Sequence, residues 1–510
     1  MFQPEYSLGR EVGMQDARVR SVAAVFLWAV VLTVLLPGLI LQSLAAHVSL
    51  ALALQCIVVA HTGGALARVL TAPTVRFVAF GFWVFSYIWL GLAPLAMLAA
   101  DTYPWPYRTS EATALQAVLV VELGLVAYSV GTALAARRER TDAARATAGR
   151  PGFLERLLAR RIAPWRLLAL CGLAFTFAVL LIAGQPGRLG AYFTSRQAIT
   201  EIGALNSGQE AFLQSLLSWS LSVPAFWALL GLLRVPRLPG GDRWLRGARW
   251  LLLPLLIALN AVVNNPISKP RFWVGTILLT LVFTVPRLYR PRPFRIAAAG
   301  LIAVLLVLFP YSDYFRYSDR EDITVVSLTE QFTVNGDYDA FQQVQTGIDY
   351  ARENGFSPEA VLGPPLFMVP RSMWPEKPQD TGIALAHYAG YDFLNLSAPL
   401  WIESYLWAGP AAVIIVFCLL GAAGRRVDDV RHRLRGRPGT LAALLVPAFA
   451  FYQMVFLRGS LLGIAGPLTL LMTIPLLIST PTARASRSPS SAVPTAPIRH
   501  ASIPGTGGHP

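Results

Sequence analysis

Two cations six residues apart, Arg371 and Lys377, flank Trp374 in the stretch MVPRSMWPEKP, which Pro370, Pro375 and Pro378 stiffen. Arginine presents a planar fork that fits two oxygens of one phosphate, and lysine offers a compact point charge. A loop that is already stiff loses little entropy on closing around a ligand. The competing role for Arg371 is an ion pair with an acid of its own loop such as Glu376. Trp374 could stack on a sugar ring, but anchoring at the membrane interface is the commoner use of tryptophan. Other isolated cations are Arg196 in YFTSRQAIT, Lys269 and Arg271 in NPISKPR, and Arg458 in FLRGS. Each is a candidate for holding an anionic substrate. The candidates for moving a proton are Glu403, Asp337 with its neighbour Asp339, and His387 in IALAHYAGY, because a positioned carboxylate or imidazole can accept one.

The elements that carry these residues are membrane helices. Of the 510 residues 55% are hydrophobic and only 14% charged, with a mean hydropathy of +0.51. A soluble domain carries about 25% charged residues, so the lipid bilayer is the expected environment. Twelve apolar runs are candidate spans, near 21–42, 45–66, 77–99, 112–135, 166–184, 211–233, 250–265, 272–286, 296–311, 399–423, 440–457 and 460–479. A crossing needs ~20 residues; the seventh and eighth runs fall short of that and flank the kinked NNPISKPR, which allows two thin spans or one broken hairpin. The first run is too long for a signal-peptide core and reads as a retained helix. The three cysteines all lie inside apolar runs, which gives no disulfide or thiolate-metal framework.

The charge pattern orients the chain. The net charge of +15 comes almost wholly from arginine, clustered between apolar runs rather than in a nucleic-acid-binding patch. With a cytoplasmic N-terminus, alternate connections collect 29 arginines, nine of them between Arg137 and Arg166, against six basic residues in the short loops opposite. Positive charge marks the cytoplasmic side. The expectation is therefore an all-α polytopic membrane protein of about 12 transmembrane helices with both termini cytoplasmic. Helices 1–9 occupy 1–311, a large extracytoplasmic loop 312–398, and helices 10–12 residues 399–480. A Ser/Pro/Thr/Ala-rich tail, 481–510, reads as disordered and cytoplasmic.

The large loop holds thirteen acidic residues. Within it NGDYDAFQQVQTGIDYARENG is expected to be a helix, with Asp337 as N-cap, Phe341, Val344 and Ile348 on one face, and Gly355 closing it. The following VLGPPLFMVPRSMWP is too short and too proline-broken to span, and is expected to lie in the outer interface.

The stretch MVPRSMWPEKP followed by NLSAPLWIESYLWAG resembles the bacterial oligosaccharide repeat-unit polymerases of O-antigen and exopolysaccharide synthesis. Pro370, Arg371, Ser372, Trp374, Pro375, Lys377 and Pro378 match that family's loop motif, and Glu403, Tyr405 and Gly409 its following helix. Ile402 stands where the family has glycine. The motif match covers about forty residues. The resemblance implies a GT-C-like architecture and a membrane glycosyltransferase that joins undecaprenyl-diphosphate-linked oligosaccharides without a cofactor. It also implies flippase and chain-length regulator proteins as partners. On that reading Glu403, Arg371, His387 and Asp337 are catalytic, while Lys377, Trp374, Arg196, Lys269, Arg271 and Arg458 bind substrate. The alternatives are an O-antigen ligase-type transferase and a lipid-linked oligosaccharide flippase or transporter. The latter sits poorly with the long loop and the absence of an internal repeat.

Glu122 lies mid-span in VLVVELGLVAY. An ionisable group at that depth costs roughly 2.5–3.5 kcal/mol, so a polar partner is expected. The orientation is testable with a membrane-impermeant maleimide: a cysteine placed at Ser357 should label from outside and one at Ala144 should not. The reverse pattern would overturn the topology.

Overall fold

The computed structural model describes residues 22–42, 47–145, 152–184, 188–193, 208–234, 243–308, 327–394, 396–434 and 439–481. Arg196, the first part of the large loop and the tail after residue 481 lie outside them. In chain order the helices are α1 Val22–Leu41, α2 Leu50–Thr71, α3 Phe77–Ala100, α4 Glu111–Arg145 and the short α5 Phe153–Leu158. Then come α6 Pro164–Gly184, α7 Gly208–Arg234, α8 Arg243–Val263, α9 Arg271–Phe283 and α10 Pro291–Val307. The loop supplies α11 Leu328–Val334, α12 Ala340–Asn354 and α13 Thr381–Tyr388, before α14 Leu400–Leu434, α15 Leu441–Arg458 and α16 Leu461–Leu477. The one sheet among the described residues is the antiparallel pair β1 Arg161–Ile162 and β2 Ser479–Thr480.

A helix stands at each of the twelve apolar runs. Eight are long and apolar enough to cross a membrane, which makes the protein an all-α polytopic membrane protein. The apolar part of α8, together with α9 and α16, is shorter. Connections gather at two ends. At one end Arg295 donates to the Leu70 and Thr71 carbonyls, Asp428 accepts from the Val78 and Ala79 amides, and Arg160 donates to Ser479. At the other, the His47 amide donates to Ala99, Gln342 bonds Trp105, and the Ala398 amide donates to the Arg458 carbonyl.

Packing between α4 and α14 relies on glycine. A Cβ at Gly131 would stand 1.9 Å from the Cys418 carbonyl oxygen, and one at Gly421 would stand 2.1 Å from that of Tyr128. In lipid, helices associate by close contact and polar bonds rather than by escape from water, which favours small residues at the contact. Trp401 completes this packing by donating its indole N–H to the Val121 carbonyl at 3.0 Å. In α3 the turn Ser86–Leu92 is π-helical. There Gln55 donates to the Leu90 and Gly91 carbonyls, both at 2.8 Å.

The expected loop helix forms as α12, with Phe341, Val344 and Ile348 fully buried and Gly355 closing it at φ +77°. Asp337 is not its cap. Asn335 caps the preceding 3-10 turn by accepting from the Asp337 amide, which leaves the Asp337 carboxylate free for tertiary contact. Ile402 fills the space beside Gly347, where a Cβ would meet it at 2.1 Å. Helix α14 kinks at Ala408 and Gly409, the latter at φ +63° with the Phe356 ring 3.0 Å from its missing Cβ. The 361–373 segment does not bury its apolar side chains: Val361, Leu362, Leu366, Met368 and Met373 are all exposed.

Gly131→Leu should lower the detergent-solubilised melting temperature by several degrees, read by fluorescence size-exclusion after heating. Gly172→Leu should not, because nothing lies within 4 Å of a Cβ there. Equal tolerance at both sites would refute the glycine-mediated packing of α4 on α14.

Candidate functional site

Arg458 ends α15, and the chain turns at Gly459 directly into α16. Its guanidinium reaches into the large loop, donating through Nε to the Asp337 carbonyl at 3.0 Å. Nη2 donates to the Gly336 carbonyl at 3.1 Å and to Asp339 Oδ1 at 3.0 Å. Asp339 also accepts from Ser397 Oγ at 2.6 Å and Trp105 Nε1 at 3.1 Å. The Phe272 ring lies 5.2 Å from the guanidinium carbon. Arg271 opens α9, where the helix dipole disfavours a cation. The compensation is tertiary, an ion pair to Asp337 at 2.6 Å.

Lys269 is held differently. Its ammonium donates to the Ser218 hydroxyl and stands 5.2 Å above the Trp219 ring. No carboxylate among the described residues is within ion-pair distance of it. It is 8% exposed, and burial pushes its pKa down to about 8. Asp380 caps α13 through the Gly382 amide at 2.9 Å. Burial raises its pKa, opposed by hydrogen bonds from Ser460 and the backbone of Ile383, Gly382 and Gly463.

Lys269, Arg271, Arg458, Asp337, Asp339 and Asp380 all line one cavity of about 510 Å³. Ser215, Ser218, Ser268 and Ser397 add hydroxyls, and Trp105, Trp219 and Phe393 add rings. Thus four residues expected from sequence, Lys269, Arg271, Arg458 and Asp337, converge from three separate connections. Two of the three cations are matched by carboxylates, while Lys269 has none among the described residues. The mixture of rings, hydroxyls and charges suits a ligand with both apolar and polar faces and an anionic group.

The other expected site residues lie elsewhere. Arg371 donates to the Lys377 carbonyl at 2.6 Å and the Pro378 carbonyl at 3.2 Å rather than to Glu376. Lys377 donates to the Phe367 and Val369 carbonyls at 2.7 and 2.9 Å. Both cations of the proline-rich motif therefore fasten their own loop, and neither they nor Trp374 line the cavity. His387 is exposed near the end of α13 and also lies off the cavity. Glu403 is buried behind the cavity wall. Both its oxygens accept from the Leu461 amide at 3.1 Å, and Oε1 accepts from Ser460 Oγ at 3.1 Å, so it caps the start of α16. Tyr405 of the same motif accepts through its hydroxyl from Gln116 at 2.8 Å.

Three contributors were not singled out from sequence. Asp380 stands before Thr-Gly as an N-cap would, a signal visible in the chain. Trp105 and Ser218 gave none, because their role depends on contacts 234 and 51 residues away. Glu122 has the partner its depth demands: Oε1 meets His61 Nδ1 at 2.7 Å. No known protein family, curated protein or solved structure matches the chain.

The Lys269 shift has a signed consequence. The folded-state pKa of about 8 lies below the ordinary 10.5, so between those values the unfolded chain holds a proton that the folded chain has released. Stability should rise with pH across pH 8 to 10.5, by at most ~1.4 kcal/mol per pH unit, and lose that contribution as pH falls through 8. Melting temperatures measured against pH should show this rise in the wild type and a flatter profile in Lys269→Met. Identical profiles would place Lys269 in water.

Proposed function

We propose that this protein is a membrane glycosyltransferase that polymerises polyprenyl-diphosphate-linked oligosaccharide repeat units at the outer face of the plasma membrane, with the Lys269–Arg458 cavity as its site. The observation that carries the reading is the cavity's composition. A buried ammonium with no carboxylate partner among the described residues, two carboxylate-paired arginines, serine hydroxyls and exposed aromatic surface share one space at the end of the helices that bears the large loop. An ammonium without a carboxylate, enclosed by low-dielectric walls, attracts an anion strongly. A lipid diphosphate is such an anion, and the attached glycan supplies the apolar and hydroxylated faces.

In the proposed reaction an acceptor sugar hydroxyl attacks the anomeric carbon of the donor glycan. The new C–O bond forms as the bond from that carbon to the diphosphate oxygen breaks. Lys269 stabilises the charge on the departing polyprenyl diphosphate, and the attacking hydroxyl's proton passes to Asp337, the cavity carboxylate held by Arg271. Arg458 positions the loop that carries Asp337, while Arg371 and Lys377 shape the neighbouring loop.

The arrangement extends to twelve crossings in a GT-C-like layout with both termini cytoplasmic. Support comes from the two groups of connections, since each helix, including the short α8, α9 and α16, leads from one group toward the other. The arginine-rich connections gather at one end, and the cavity lies at the opposite, loop-bearing end. The exposed apolar side chains of 361–373 suit contact with lipid at that outer surface. A flippase that delivers the lipid-linked repeats and a chain-length regulator are the partners such an enzyme needs.

Lipid-linked glycans of a deletion strain should be single repeats on the outer face. Complementation with Lys269→Ala should give normal membrane levels and at least a tenfold loss of long chains. Long lipid-linked chains in the deletion strain would instead mark a ligase, and single repeats trapped inside a flippase. Wild-type chain lengths with Lys269→Ala would remove the cavity from the reaction.

A further inference from the structure

The cavity has two unlike aromatic ends. At one, the Lys269 ammonium stands over Trp219, so that ring already faces a cation. At the other, Trp105 and Phe393 line the space, and no cation among the described residues covers either ring.

This second end is rigid. Trp105 is held by its indole N–H to Asp339 at 3.1 Å, by its amide to Gln342 Oε1 at 3.0 Å, and by its carbonyl, which accepts from Gln342 Nε2 at 2.8 Å. Tyr391 is fixed through its hydroxyl, which accepts from the Tyr107 amide at 3.2 Å. Phe393 stacks on Tyr391 with centroids 5.3 Å apart and planes within 6°, and packs against Trp105 at 4.6 Å. Despite two ring neighbours, Phe393 remains 38% exposed. A phenyl face left bare beside Asp339 and Ser397 gains by being covered with apolar surface. The polar groups around it call for a ligand that carries hydroxyls as well.

We infer that the Trp105–Phe393 wall, backed by Tyr391, is a subsite for a neutral pyranose ring, apart from the Lys269 end that takes the diphosphate. This rests on reading the cavity as a glycan site and gives the bound substrate a direction. The C–H face of one sugar lies on Phe393, the diphosphate lies at Lys269, and the reacting carbon lies between them near Asp337. A preordered wall loses no conformational freedom when the ring docks. The absence of charge on these rings makes the subsite indifferent to anionic groups.

The test is saturation-transfer NMR on the purified full chain in lauryl dimethylamine oxide, a detergent without sugar. The probes are methyl β-D-glucopyranoside, methyl β-D-galactopyranoside and methyl α-D-mannopyranoside. At least one should receive saturation at its ring C–H protons, and sodium pyrophosphate should not displace it. Phe393→Ala should weaken that binding about 3–10-fold, on the scale of a single aromatic contact, and Phe393→Trp should keep it. Where transfer is assayed, Phe393→Ala should raise KM by a similar factor with kcat little changed. No transfer of saturation from the wild type, wild-type binding by Phe393→Ala, or displacement by pyrophosphate would each overturn the subsite. Glycoside binding that depends on Phe393 in a protein without polymerase activity would leave the subsite standing and reject the polymerase reading alone.

Discussion

The buried Asp339 carboxylate needs a cation, and the half-buried Arg458 supplies it while gripping the backbone of the large loop. Two carbonyls and one carboxylate receive its guanidinium, and Asp339 in turn ties in Trp105 and Ser397. Removing one member of such a pair leaves an unmatched buried charge, at a cost of about 3–5 kcal/mol. That single cluster joins the α15–α16 turn, the connection before α4, the turn before α12 and the lead into α14. The Arg271–Asp337 pair adds the start of α9. The cavity exists because these five segments are held at fixed separations, and the loop is held over it by bonds to its backbone together with the burial of Phe341, Val344 and Ile348.

The start of α16 explains where an anion can and cannot bind. Exposed amides at a helix N-terminus ordinarily attract negative charge. Here Glu403 takes the Leu461 amide and the Ser460 hydroxyl, while Asp380 bonds at Gly463 and Ser460. Two carboxylates thus occupy the position a substrate phosphate would want. The cavity cation with no carboxylate partner among the described residues is Lys269, on a separate connection. Acid and base on separate connections polarise the space, which favours a substrate with one anionic end over a uniformly charged one.

The positions of the helices were legible because burial in lipid and in protein both demand unbroken apolar runs. What the runs do not encode is how far each helix continues: α14 extends past the expected 423 to Leu434 and bends at Gly409 on the way. Glu122 needed a partner on energetic grounds alone, but His61 is 61 residues away, and nothing local announces it. Asp337 looked like a cap because capping is a local rule, whereas its partner Arg271 comes from another connection. In the proline-rich motif both cations bond carbonyls of their own loop. Its spacing of arginine and lysine is what the loop needs to close on its own carbonyls, and a sequence cannot distinguish cations that bind a ligand from cations that bind the chain. The scattered cations at 269, 271 and 458 meet in one cavity, a convergence that their separate positions in the chain do not announce.

The short helices set the depth of the site. At ~1.5 Å per residue, the 13 residues of α9 cover ~20 Å, against a hydrocarbon core of ~30 Å. In a twelve-crossing arrangement with the Thr284 end of α9 near the inner surface, Lys269 and Arg271 lie below the outer boundary rather than above it. Polar groups at that depth need internal partners, and the structure supplies them under the cavity floor. Trp273 donates to Ser222 and to Asn264, both at 2.9 Å, and Asn264 donates to Asn260 at 2.8 Å. Of this network only Trp273 lines the cavity, and its partners Ser222, Asn264 and Asn260 stand behind it. On the proposed reading, a lipid-linked substrate would bring its phosphates to the headgroup boundary, where a recessed pocket could meet them without lifting the lipid tail from the bilayer. The loop above, fastened by Arg458, is then the natural wall for the glycan.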